Sequence, residues 1–182
     1  DYHGGDASQN IAALDEAARS RLRLKEFGFI FQFGQLLPDL SALDNVTIPL
    51  LLAGVPRRKA LARAHETLVE LGLSEHLNKR PTQLSGGQAQ RAAVARALVT
   101  SPRILFADEP TGALDIDATR IVLDWLRQLT QQGTTVVMVT HDVEAAAIAD
   151  NVAVMSQGRL AAWSTSHDPR QIADLVHAAR IA

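Results

Sequence analysis

The chain has 182 residues, 47% hydrophobic and 21% charged, with a formal net charge of -2. That is enough for one domain with a core, or a core plus a small subdomain, and no basic excess serves a nucleic-acid surface. Cysteine is absent, which excludes disulfides and thiolate metal sites, and Pro49, Gly54 and Pro56 break the most hydrophobic stretch well short of the ~20 residues of a membrane span.

From the amino terminus, residues 1–6 are polar and hold Gly4-Gly5, the composition of a turn at a strand end. Residues 11–25 carry helix formers, with Arg19, Arg21 and Arg23 facing outward. Phe27, Phe29, Ile30, Phe31 and Phe33 predict a compact aromatic strand, with Gln32 between the last two and Gly34 after them. Strand signals then vanish from Leu36-Leu37-Pro38 to Pro81. Ser41 is placed to cap a helix through Leu43, Val46 and Ile48 toward Leu52. A second helix starts near Pro56, repeats Leu61, Ala64, Leu68 and Leu71 along one face, and stops at Gly72.

Leu84-Ser85-Gly86-Gly87-Gln88 opens the next helix, whose body over 89–98 is dense in Ala, Leu and Arg without Gly or Pro, and Ser85 stands at the N-cap. Backbone N–H groups there lack intrahelical partners, the helix dipole adds partial positive charge, and glycines admit an anion close to the backbone. This is a phosphate-binding design, although taken alone it is equally a loop and a cap. Residues 103–110, Arg-Ile-Leu-Phe-Ala-Asp-Glu-Pro, predict an apolar strand buried on both faces that ends in Asp108 and Glu109. A doubly wound sheet places its ligand at that end of a strand. In a nucleotide hydrolase Asp108 would belong to the Mg²⁺ shell and Glu109 would take a proton from the attacking water; in isolation, the pair reads as two solvated carboxylates.

Asp115 and Asp117 offer N-caps to a helix with the apolar face Ala118, Ile121, Val122, Trp125, Leu126 and Leu129, ended by Gly133. That face is core. Residues 134–140 are β-branched and apolar, hence a buried parallel strand that delivers His141 into the layer of Asp108 and Glu109. The other five histidines show no metal-ligand spacing. Residues 151–156 and 159–163 flank Gln157-Gly158 as a hairpin, and a terminal helix runs from about 168 to 180.

The order and spacing of Leu84-Ser85-Gly86-Gly87-Gln88, the acid pair Asp108-Glu109, Ala113-Leu114-Asp115 and His141 resemble the ATP-binding subunit of an ABC transporter over nearly the whole chain. Phe31-Gln32, Leu36-Leu37-Pro38, Leu43-Asp44-Asn45-Val46 and residues 110–115 look most like the lipoprotein-releasing and macrolide-export group. The resemblance implies an α/β fold: a P-loop NTPase-like, mostly parallel sheet core from residues 1–34 and 82–182, incomplete at its amino terminus, with an inserted helical subdomain over 35–81. It implies an ATPase that powers an export-type membrane transporter, with ATP and Mg²⁺ as cofactors.

By the same resemblance Glu109, His141 and Gln32 are catalytic, and Ser85, Gly86, Gly87, Gln88, Asp108 and Asp115 belong to the nucleotide site. Gln32 and Asp108 would hold Mg²⁺, Gln32 also coupling the core to the helical subdomain. His141 would hydrogen-bond the γ-phosphate and orient Glu109. The implied partners are a second ATP-binding subunit, identical or not, met across the 113–115 loop, and transmembrane permease subunits. These permeases would touch the exposed apolar residues of 36–40 at the cytoplasmic face of the membrane; no nucleic acid is implied.

One motif of that family is not found. The phosphate cradle G-x-x-x-x-G-K-[ST] needs a glycine before a lysine, and Lys25, Lys59 and Lys79 follow Leu24, Arg58 and Asn78. The chain opens on Asp1, so the expectation is a piece of a longer protein that lacks the first strand and the phosphate-binding helix. Weak nucleotide binding and poor solubility of these residues alone follow from that. A non-catalytic chain that only completes a partner's ATP site is the alternative. The related chromosome-maintenance and DNA-repair ATPases are disfavoured, because no sustained heptads of a coiled coil occur.

Overall fold

The computed structural model describes residues 2–4, 7–32, 36–112 and 114–181, with side-chain surroundings for 10–32, 36–112 and 114–180. Strands Tyr2–Gly4 (β1) and Ala7–Gln9 (β2) pair antiparallel around the expected turn, whose Gly5 and Asp6 lie outside the described residues. The helix predicted over 11–25 is divided. A single 3-10 turn, Ile11–Ala13, precedes α1 (Glu16–Glu26), because Asp15 turns its carboxylate onto the Ala18 N–H at 2.7 Å and starts the helix afresh.

The aromatic strand is shorter than its composition predicts. β3 covers Phe27–Ile30, Phe31 and Gln32 lie beyond it, and Phe33 falls outside the described residues. Two helices follow as expected: α2 (Ala42–Leu52), capped by the Ser41 hydroxyl on the Asp44 N–H, and α3 (Arg57–Glu70), which ends before Gly72 at φ 69°. After α4 (Gly86–Leu98) come β4 (Ile104–Asp108), α5 (Ile116–Gln131), β5 (Thr135–Val139) and the short α6 (Val143–Ala146). The chain closes with the hairpin β6 (Val152–Ser156) and β7 (Arg159–Ser164), turned by Gln157 and Gly158 at φ 49° and 76°, and with α7 (Pro169–Ile181).

The central sheet is parallel in the order β3, β4, β5. Its buried face joins the helices in one continuous core that runs from Ala42, Val46 and Leu50 of α2 and Ala64 and Leu68 of α3, through Val94 of α4, to Ile30, Leu105 and Leu126. Helices α2 and α3 therefore share their apolar interior with the sheet through α4. Close packing depends on Gly28: a Cβ there would lie 2.7 Å from the Ala97 carbonyl oxygen and 2.8 Å from Leu105 Cδ1.

The expectation that β4 and β5 are buried on both faces is corrected by the structure. Leu105 and Ala107 are buried, but Phe29, Phe31 and Phe106 are 36–40% exposed, and Val137 and Val139 are 46% and 62% exposed. Phe29 stacks on Phe106 with ring centroids 5.5 Å apart and on Phe31 at 6.2 Å. A continuous apolar run reads the same in sequence whether one layer or two covers the strand, and among the described residues only one layer does.

Candidate active site

Strand register brings the chemistry to one edge. Ile30 pairs with Ala107 and Ala107 with Met138, so Gln32, Glu109 and Thr140 each lie two residues beyond a common row at the carboxyl ends. Asp108 pairs with Val139, and the ladder continues one step further as the Glu109 N–H donates to the Val139 carbonyl at 2.8 Å. Glu109 there takes a left-handed backbone, φ 47°. The twist turns its side chain across the sheet toward the loop after β5.

Three donors meet that carboxylate. Glu109 Oε1 accepts from the His141 backbone N–H at 2.8 Å and lies 2.7 Å from His141 Nδ1, while Oε2 accepts from the Thr140 hydroxyl at 3.2 Å. The Thr140 hydroxyl in turn accepts from the Asp142 N–H at 3.0 Å, which fixes the loop. The Glu109 side chain is 14% exposed and that of His141 80%. The hydrogen bond to Glu109, and then its charge, raise the His141 pKa above its ordinary 6.5; Asp142 adds a smaller push in the same direction against slight desolvation. The carboxylate is thus oriented and shielded, while the imidazole still faces outward.

Gln32 and Asp108 stand exposed on the same edge, and neither side chain hydrogen-bonds a described residue. No cluster of three or more His, Asp or Glu that could enclose a metal occurs among the described residues. One exposed carboxylate beside an amide suits a hydrated Mg²⁺ that takes its other ligands from phosphates and water. Asp115 is engaged within its own helix, where its Oδ1 accepts from the Ala118 N–H at 2.8 Å and caps α5. Ala113 lies outside the described residues.

The start of α4 has the geometry that its sequence predicts. Ser85 caps it, the Ser85 hydroxyl accepting from the Gln88 N–H at 3.2 Å and Gln88 Oε1 accepting from the Ser85 N–H at 3.0 Å. A Cβ on Gly86 would meet nothing within 4 Å, and one on Gly87 only Leu114 Cδ2 at 3.6 Å. Neither glycine has a positive φ. Among the described residues nothing demands glycine at these positions, which leaves a bare backbone open to approach from outside.

Sequence reasoning missed Gln90 and Thr140. Gln90 is 2% exposed, and its side-chain Nε2 donates to the carbonyls of Phe31 at 3.2 Å and Pro110 at 3.3 Å. One amide of α4 thereby holds the residue before Gln32 and the residue after Glu109. The signal was present: Gln90 is the polar member of a core-facing stripe with Ala93, Val94, Ala97 and Leu98.

The description "ABC transporter" belongs to the family model that matches residues 3–112. The macrolide export ATP-binding/permease protein MacB 1 of Yersinia pestis is 46% identical over 167 residues, 92% of this chain and 26% of that protein. The lipoprotein-releasing system ATP-binding protein LolD 2 of Caulobacter vibrioides is 47% identical over 153 residues, 84% of this chain and 67% of that protein. The chain thus spans about a quarter of the MacB relatives' length and two thirds of LolD's. A dimeric post-hydrolysis structure of the ATP-binding cassette MJ0796, bound to ADP and Pi, superposes with a TM-score of 0.78 at 36% identity, over 84% of this chain and 68% of that one. Sequence and fold agree, and the chain belongs to the ABC transporter family, with the fold of an ATP-binding cassette.

Proposed function

We propose that the protein hydrolyses ATP as the cassette of an export-type ABC transporter, with Glu109 as general base. The observation that carries this is the Glu109 carboxylate, held by the His141 N–H, His141 Nδ1 and the Thr140 hydroxyl at the sheet edge. A carboxylate so oriented can take the proton of a water attacking a γ-phosphate, and the outward imidazole can meet the same phosphate. Asp108 and Gln32 would hold a nucleotide-borne Mg²⁺, which when bound neutralises charge developing on the phosphate oxygens. Positioning contributes as much as proton transfer in such reactions, so the fixed loop around Thr140 belongs to the machinery.

The N–H groups of Gly86 and Gly87, at the first turn of α4, support a second part of the reading: they face the ATP of a second cassette, homologous or identical, across a closing dimer. No helix among the described residues is long and apolar enough to cross a membrane. Transmembrane permease partners, the boundary of the helical subdomain at 35–81, a contact of exposed Leu37 with those partners, and a place at the cytoplasmic face of the membrane complete the proposal. Asp115 joins it as the cap that fixes the interface loop. Because none of the 182 residues forms the G-x-x-x-x-G-K-[ST] cradle, hydrolysis is proposed of the whole protein. A chain confined to completing a partner's site is the competing reading.

Glu109→Gln in the full-length protein separates them. It keeps size and most hydrogen bonds but cannot accept the proton, so steady-state ATP turnover should fall about 10²–10⁴-fold with ATP binding retained. Unchanged turnover would remove Glu109 from the chemistry.

A further inference from the structure

The side chain of Gln88 has two partners, and the second lies outside the helix it caps. Its Oε1 is committed to the Ser85 N–H, so its amide NH₂ end points the other way, where Nε2 lies 2.9 Å from His76 Nε2. An amide NH₂ only donates, so His76 Nε2 accepts, and the neutral imidazole carries its proton on Nδ1. That Nδ1 is buried and has no hydrogen-bond partner among the described residues. The geometry around His76 is fixed on both sides: its backbone N–H donates to the Leu73 carbonyl at 2.9 Å, and Arg91 Nη1 of α4 donates to the Leu71 carbonyl at 3.1 Å. Leu71 and Leu73 are fully buried.

We propose that His76 is a positioning residue for the phosphate-facing turn at Ser85, Gly86 and Gly87. As the Nδ1–H tautomer it anchors the Gln88 amide from the Ser74–His76 turn, and the anchored amide closes the capping box that holds the backbone of Ser85, Gly86 and Gly87 in place at the start of α4. The inference rests on the reading of that turn as the face that meets a second cassette's ATP. Its chemical content is a tautomer and a donor direction. Replacing the amide by a carboxylate reverses both, since a carboxylate accepts and would draw the imidazole proton to Nε2.

The test uses the full-length protein labelled with ¹⁵N-histidine. Long-range ¹H–¹⁵N spectra should show His76 as the Nδ1–H tautomer, and Gln88→Glu should invert it to Nε2–H. His76→Gln keeps an acceptor for the Gln88 amide and should leave the KM for Mg-ATP within about threefold, whereas His76→Leu should raise it about tenfold with kcat little changed, the worth of one lost hydrogen bond. An Nε2–H tautomer in the parent, or a His76→Leu variant with unchanged KM, overturns the role of His76. Absence of ATP turnover in the parent itself overturns the reading of the turn and the inference with it, so the two failures are told apart.

Discussion

Glu109 sits in a backbone conformation that costs a non-glycine residue roughly 1–2 kcal/mol, and it is held there by its own N–H on the Val139 carbonyl and by the His141 loop on its carboxylate. Sequence placed Glu109 and His141 in one layer by sheet logic but carried no sign of this backbone twist, which arises only when β5 lies alongside. The pair has a pH signature. Because Glu109 raises the His141 pKa above 6.5 in the folded state, the folded chain binds that proton more tightly than the unfolded one. The resulting stabilisation is complete below about pH 6.5 and is lost as pH rises through the raised value. NMR titration should therefore show the His141 pKa falling toward 6.5 in Glu109→Gln, and a His141 that titrates identically in both forms would contradict the pairing. Gln90 makes a separate prediction. Gln90→Met leaves the Phe31 and Pro110 carbonyls without a donor, and chemical denaturation should register a loss of about 1–3 kcal/mol.

Helix starts were the most legible elements, because Ser41, Ser85 and Asp115 announce them with side chains that cap in the structure as their chemistry requires. Asp15 carried the same signal inside a stretch that helix-forming composition had smoothed over. Strand ends were less legible. Alternation of Phe through residue 33 gave no stop, and β3 ends at Ile30, where its pairing with Ala107 of β4 ends. The packing of α4 on β3 is also invisible in sequence, since Gly28 looks like any glycine in a strand. Gly28→Ala would drive a methyl into the Ala97 carbonyl and Leu105 and should destabilise the fold by about 1–3 kcal/mol, read as a lowered Tm.

At the scale of the whole molecule, fold class and family were legible because several motifs recur in a fixed order along the chain, while the bare aromatic face was not. Phe29, Phe31, Phe106, Val137 and Val139 form an exposed apolar surface, so the 182-residue chain on its own should bind the dye ANS and self-associate with rising concentration. Phe31→Ser with Val139→Thr should lower both, and a monomeric, dye-free chain would show the face to be covered. The open space at Gly86 has a different consequence. Alanine there meets no clash and loses less backbone freedom on folding, so Gly86→Ala should make the isolated chain more heat-resistant, by up to about 1 kcal/mol. With the role proposed for that turn, the more robust protein would be the functionally poorer one, and thermostability screens would select against the turn.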